Sequence, residues 1–176
     1  MVGTSIYNNY PLVFLSMVKE VIHTKKEERK EILTLLKKAY VDELETVANY
    51  TAHSVNLDSF DGRDVAEDLR EDIEEELTHA QTVGERIKIL GGTVPTSMHK
   101  DFVFSQKKLN EVSETTDVEG VVDGVIEAEK TAIKTYREII EVAEKAKDYG
   151  TVKVARDLLE DEERHLEEFL SLKKSF

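Results

Sequence analysis

The chain has 176 residues, 40% hydrophobic and 35% charged, with two prolines, eight glycines and no tryptophan, a balance that favours a single all-α domain of long helices. Its 37 acidic against 24 basic residues leave a net charge of -13, a field that draws cations in and turns nucleic acid away, so no nucleic-acid partner is expected. The absence of cysteine excludes disulfides, thiolate zinc sites, iron–sulfur clusters and cysteine nucleophiles, and leaves oxygen and nitrogen as the donors for any metal.

Residues 1–27 read as an N-terminal extension whose one candidate element is a short helix over Leu12–Ile22. The apolar run from Leu12 to Val18 is too short to span a bilayer and no basic start precedes it, so a cytoplasmic protein with no membrane partner is expected. Residues 28–176 read as the structured domain. From about Glu28 to Val55, Ile32, Leu36, Tyr40, Glu43, Val47 and Tyr50 recur at steps of three and four, which is one helical face. A segment of turn formers, Asn56 to Gly62, leads into a second periodic run with Val65, Leu69, Ile73, Glu76, Ala80, Val83, Ile87 and Leu90, closed by Gly91 and Gly92.

The stretch from Gly91 to about Asp117 contains Pro95 and sustains no periodicity, so it reads as a long crossover. A third run follows through Val122, Val125, Glu129, Ala132, Tyr136, Ile140 and Ala143, and a fourth through Ala155, Leu158, Glu162, His165 and Phe169. Lys147 to Gly150 is the expected turn between them. The layout is hairpin, crossover, hairpin, and two amphipathic hairpins bury their stripes most simply as a four-helix bundle.

Charged residues interrupt each apolar stripe. The first helix offers Glu43, the second Glu76 and His79, the third Glu129, and the fourth Glu162 and His165. Residues three apart on a helix share a face, so each Glu-x-x-His pair can present a carboxylate and an imidazole to one point. Adding 86 to Glu43, Tyr50, Glu76 and His79 gives Glu129, Tyr136, Glu162 and His165, an internal repeat that surface charge has no reason to keep in register. Glu20 with His23 forms a third Glu-x-x-His pair, but no glutamate lies 33 residues upstream as Glu43 does of Glu76 (76 − 43 = 33), so it is set aside as surface chemistry.

Four buried carboxylates need compensating charge, and two dications supply it. The oxygen-rich donor set with two imidazoles suits iron(II), manganese(II) or zinc over copper(I), calcium or magnesium. Tyr50 and Tyr136 fit either ordinary aromatic core or hydroxyls that hydrogen-bond the ligating carboxylates.

The segment Glu43-Leu44-Glu45-Thr46-Val47-Ala48-Asn49-Tyr50 resembles the first-helix motif of bacterioferritins, and Glu76-Leu77-Thr78-His79-Ala80 with Glu85-Arg86-Ile87 and Gly91 resembles the second. Glu129-Lys130-Thr131-Ala132-Ile133 with Tyr136, and Asp161-Glu162-Glu163-Arg164-His165, resemble the third and fourth. Over residues 30–170 the chain therefore resembles the ferritin-like di-iron carboxylate superfamily, in the branch of bacterioferritins and Dps-like proteins. The resemblance implies a ferritin-like bundle with two iron ions per subunit, bridged by Glu76 and Glu162, with Glu43, His79, Glu129 and His165 each on one iron.

Departures narrow these expectations. Leu77 stands where bacterioferritins carry a haem-ligating methionine, so no haem is expected there. Eleven residues follow His165 (176 − 165 = 11), too few for the extra C-terminal helix of 24-subunit cages, which favours a homo-oligomer of Dps-like dodecamer size or smaller. The cysteine-rich domain of complete rubrerythrins is missing. The leading expectation is a ferroxidase that oxidises iron(II) with oxygen or hydrogen peroxide for iron storage or oxidative-stress protection. Its rivals are a di-iron or di-manganese oxidase, catalase or peroxidase of the rubrerythrin-like group, and a non-catalytic bundle that metal merely stabilises.

Overall fold

The computed structural model describes residues 12–96, 106 and 117–175, with side chains from residue 25 onward. Among the described residues there are four helices: α1 (Leu12–Asn56), α2 (Gly62–Ile89), α3 (Val118–Lys145) and α4 (Tyr149–Lys173). They pair as the two antiparallel hairpins α1–α2 and α3–α4, joined by the long crossover, and no described residue lies in a strand. Among the described residues no helix is long and apolar enough to cross a membrane.

Helix α1 differs from expectation at its start. It runs unbroken from Leu12, so the short helix expected over Leu12–Ile22 is its first part rather than a separate element. The segment from Leu12 to Asn56 contains no glycine or proline, and the polar stretch Lys25–Glu31 that suggested a boundary consists of good helix formers that need no apolar face to continue a helix. Glu20 and His23 lie outside the described side chains.

The termini show how composition sets length. Gly91, at φ 74°, lets the chain reverse after α2, where the Gly91 and Gly92 amides donate to the Lys88 and Ile87 carbonyls, both at 2.9 Å. Asp117 caps α3 by accepting from the Gly120 amide at 2.8 Å. Asp148 caps α4 by accepting from the Thr151 amide at 3.2 Å, which draws Tyr149 and Gly150 into the helix and leaves a turn shorter than the expected Lys147–Gly150. Lys147 makes that turn at φ 57°, a left-handed conformation that costs a residue with a Cβ about 1 kcal/mol. Arg86 of α2 donates to Asp148 and, at 2.8 Å, to the Thr151 hydroxyl, tying the two hairpins together at this end.

The crossover is fastened to α1 by Gln106. Its side chain donates to the Thr46 hydroxyl at 2.5 Å and accepts from Asn49 at 2.8 Å, while its backbone amide donates to Glu45 at 3.3 Å.

Two apolar clusters fill the bundle. One gathers Ile32, Leu36, Val83, Ile87, Ile139, Ala143, Ala155 and Leu158 with their neighbours. The other gathers Leu57, Val65, Leu69, Val121, Val122, Val125 and Phe169 with theirs. Along every helix the residues between them are Glu43, Glu76 with His79, Glu129, and Glu162 with His165, so a polar layer divides the core in two.

The two left-handed positions make a matched test. Gly91→Ala should lower stability and Lys147→Gly should raise it, each by about 1 kcal/mol in urea unfolding. A stabilised Gly91→Ala or a destabilised Lys147→Gly would contradict the turn geometry.

Candidate metal centre

Each helix presents its part of the layer because helical steps of three and four keep the stripe facing inward, and all six expected residues are at most 2% exposed. They form two overlapping groups, Glu43, Glu76, His79 and Glu162 in one and Glu76, Glu129, Glu162 and His165 in the other. Within each group one donor atom per residue lies within 4.8 Å of the rest. Glu76 and Glu162 belong to both. His79 Nδ1 lies 3.0 Å from Glu162 and 3.5 Å from Glu76. His165 Nδ1 mirrors it, 3.3 Å from Glu76 and 3.6 Å from Glu162. The two imidazoles lie nearly parallel, tilted by 28° with centroids 6.0 Å apart.

The tyrosines are not simple aromatic core. Tyr50 donates its hydroxyl to Glu129, and Tyr136 donates its own to Glu43, each link crossing from one hairpin to the other. Burial, then the charges of Glu129 and Glu43 respectively, push both hydroxyls well above their usual pKa, so they remain donors.

Each outward ring nitrogen faces an acid. His165 Nε2 lies 3.3 Å from Glu75, and His79 Nε2 lies 3.4 Å from Asp161. Both acids are about one-third exposed. The signal for them was present, since 161 − 75 = 86, the spacing of the repeat. Neither Glu75 nor Asp161 is singled out as a site residue by the sequence, because each sits beside a ligand-type glutamate in an acidic run, where one more acid looks like solvated surface.

Electrostatics show how this layer survives burial. Desolvation opposes the charged form of both imidazoles, but the neighbouring Glu162 and Glu76 carboxylates outweigh it, holding His79 up at about 10 and His165 at about 12. Burial likewise opposes the charge on Glu76, yet the two imidazoles bring it down to about 2. Glu43 and Glu129 go the other way: burial first, then the charges of Glu162 and Glu76, push both well above the carboxylate range. The layer is thus balanced by protons, which a cation bound at the same atoms displaces.

Metal fits this donor set on a direct observation. Both Glu76 oxygens, Glu162 Oε1, both His79 nitrogens and His165 Nδ1 are buried without a hydrogen-bond partner. The close imidazole–carboxylate approaches lack hydrogen-bond alignment, so these atoms converge without satisfying one another. Unsatisfied buried donors and acceptors are costly and call for a partner. Two dications against four carboxylates and two neutral imidazoles would leave the layer neutral. All six residues are buried by helix packing, and two open surface hollows, of about 510 and 500 Å³, are lined by none of them.

Removing the tyrosine donors tests the layer without touching a ligand. Tyr50→Phe and Tyr136→Phe should each cost about 1–3 kcal/mol in the metal-free protein, because each leaves a buried carboxyl short of a partner. Unfolding free energies unchanged in both variants would remove these links from the account.

Comparison with known proteins agrees with this architecture. A curated relative, the bacterioferritin of Desulfovibrio desulfuricans, is 26% identical over 142 residues, covering 80% of this chain and 74% of its own. The structure of the D. desulfuricans bacterioferritin, which describes a diiron site in different catalytic states, superposes with a TM-score of 0.70 at 23% identity, covering 85% of this chain and 82% of that one. Ferritin-like, diiron-carboxylate proteins of Bacillus anthracis str. Ames superpose at 0.66 and 21% identity, covering 83% and 97%. The Rhodobacter capsulatus bacterioferritin, with a metal-free dinuclear site and haem iron, superposes at 0.69 and 21%, covering 82% and 84%. At these identities the superpositions speak for the fold. The ferritin-like domain itself matches residues 33–174, which takes in α1 from Leu33 onward, the other three helices and the whole polar layer, and the chain belongs to that family.

Proposed function

We propose that this chain is a ferroxidase that binds two iron(II) ions per subunit in the polar layer and oxidises them for iron storage or protection against oxidants. The observation that carries the proposal is the pair of overlapping donor sets sharing Glu76 and Glu162. Two ions held side by side by shared carboxylates supply two electrons together, which avoids one-electron reduction of oxygen. In the balance, two iron(II) each lose one electron. Oxygen takes up both electrons and two protons and leaves as hydrogen peroxide, or hydrogen peroxide takes up both with two protons and leaves as two waters.

Each residue has a definite part in this scheme. Glu43 with His79 would hold one ion and Glu129 with His165 the other, with Glu76 and Glu162 between them. Tyr136 and Tyr50 fix the two terminal carboxylates, Glu75 holds the His165 ring through Nε2, and Asp161 faces His79 Nε2, with Nδ1 of each ring turned inward. The acidic composition favours accumulation of iron(II) near the protein. The donors also suit manganese or zinc, so iron is part of the proposal. A cytoplasmic homo-oligomer, dodecameric in preference to a larger cage, completes the reading. Haem has no place at Leu77, whose hydrocarbon side chain is 42% exposed and offers no donor atom.

Two experiments decide between this and a retained-metal oxidase or an inert bundle. Metal-free protein mixed with two iron(II) per chain in stopped-flow, in oxygen and separately in peroxide, should oxidise iron faster than buffer. Glu76→Ala and Glu162→Ala should each slow this by at least about tenfold and impair both ions, while His79→Ala and His165→Ala should weaken mainly one ion yet still slow oxidation. Wild-type protein that oxidises iron no faster than buffer with either oxidant would sink the proposal. Purified protein should also lack a Soret band, and a haem bound at the Leu77 face would overturn that part.

A further inference from the structure

Beside the six-residue layer, Arg164 departs from the two-fold pattern of the hairpins. Arg164 lies on the α2–α4 face with one guanidinium nitrogen 2.5 Å from Glu75 and 3.5 Å from Asp161, and another 3.6 Å from Glu168. The residue at its repeat position is Thr78 (164 − 78 = 86), whose hydroxyl turns back to the Glu74 carbonyl at 2.9 Å. Glu75 and Asp161 are also the acids that reach the Nε2 atoms of the buried imidazoles. A line of polar atoms therefore runs from solvent through these two carboxylates to the rings and on to Glu76 and Glu162.

The line has the makings of a cation path. Glu75, His79 and Asp161 place one donor atom each within 4.8 Å of one another. His79 is 2% exposed, and its Nε2, aimed at Asp161, has no hydrogen-bond partner. At the outer end of this line the cation present is the guanidinium.

We infer that Arg164 is a tethered gate: its guanidinium occupies the Glu75–Asp161 mouth and must leave before a divalent cation can pass to the centre. An exposed ion pair contributes little to stability, so displacement is easy. A tethered charge nonetheless competes with free ions through its high local concentration, and it cancels part of the field that draws them in. The gate thus slows loading without taking any ligand from the two ions. The inference rests on the proposal that the polar layer binds two divalent ions, not on the oxidation step.

The test follows binding alone, with cobalt(II) as a probe that needs no oxidant. Metal-free wild type, Arg164→Gln, Arg164→Lys and Arg137→Gln are mixed with cobalt(II) in stopped-flow, and final stoichiometry is measured by titration. Arg137 serves as the control because it pairs with Glu163 at 2.6 Å on the exposed surface, so its loss changes net charge equally. Arg164→Gln should load about threefold to tenfold faster at low ionic strength, with the advantage shrinking as salt is added. Arg164→Lys, which keeps the charge, and Arg137→Gln should both load at close to the wild-type rate, and all four proteins should finish with two ions per chain.

An unchanged or slower rate in Arg164→Gln overturns the gate. Equal acceleration in Arg137→Gln overturns it as well, by assigning the effect to net charge, and acceleration in Arg164→Lys does so by showing that charge is not what holds ions back. If the wild type binds no cobalt at all, the metal-centre proposal fails and the gate falls with it, a result distinct from normal binding at unaltered rates.

Discussion

Taking ionisable groups out of water in the middle of a helical core is the constraint on which the rest of this molecule depends. A lone buried charge is prohibitively costly, and a buried pair is tolerable only with close partners. Here four carboxylates and two imidazoles share one layer, each at most 2% exposed. The layer also fixes helix register. Sliding any helix by one turn would carry a glutamate into one of the apolar clusters and leave valine or leucine facing carboxylates. Residues such as Leu36, Val83, Ile139 and Leu158 on one side, and Val65, Leu69, Val122 and Phe169 on the other, fill space but tolerate sliding better than the charges do.

The layer is also what joins the hairpins. Tyr50 with Glu129 and Tyr136 with Glu43 link α1 to α3. His79 lies against Glu162 and Asp161, and His165 against Glu76 and Glu75, which links α2 to α4. Each of these links runs between hairpins, so assembling the site and docking the hairpins are one event. On the proposed function, metal would therefore stabilise the tertiary fold as well as supply chemistry, since whatever binds only the assembled layer shifts the folding equilibrium toward it.

Much of this was legible in the chain because the informative signal was a repeat rather than a motif. A single Glu-x-x-His is common in an acidic helix, but four positions displaced by the same 86 residues locate both hairpins and six inward side chains together. The signal failed where no periodicity operated. The beginning of α1 was placed too late because the polar stretch Lys25–Glu31, which looks like a boundary, consists of good helix formers that carry the helix through. The α3–α4 turn was drawn too long because capping by Asp148, a local hydrogen bond, outweighed the turn preference of Gly150. Arg164 had no repeat signal at all, since its register mate is Thr78.

That asymmetry bears on how a duplicated architecture makes one chemical centre. Inside the layer the halves are close to equivalent: each terminal carboxylate has a tyrosine, each imidazole has two glutamates, and each outward ring nitrogen has an acid. Such symmetry suits two ions that give up one electron each, because neither is favoured as donor. It does not define a direction of approach. Direction must come from outside the layer, where the two-fold relation is free to break at little cost, since exposed ion pairs hardly affect stability. Replacing a small hydroxyl with a long cation at one of two equivalent positions is a minimal way to do this. It leaves the donor atoms untouched and changes only what an arriving cation meets first.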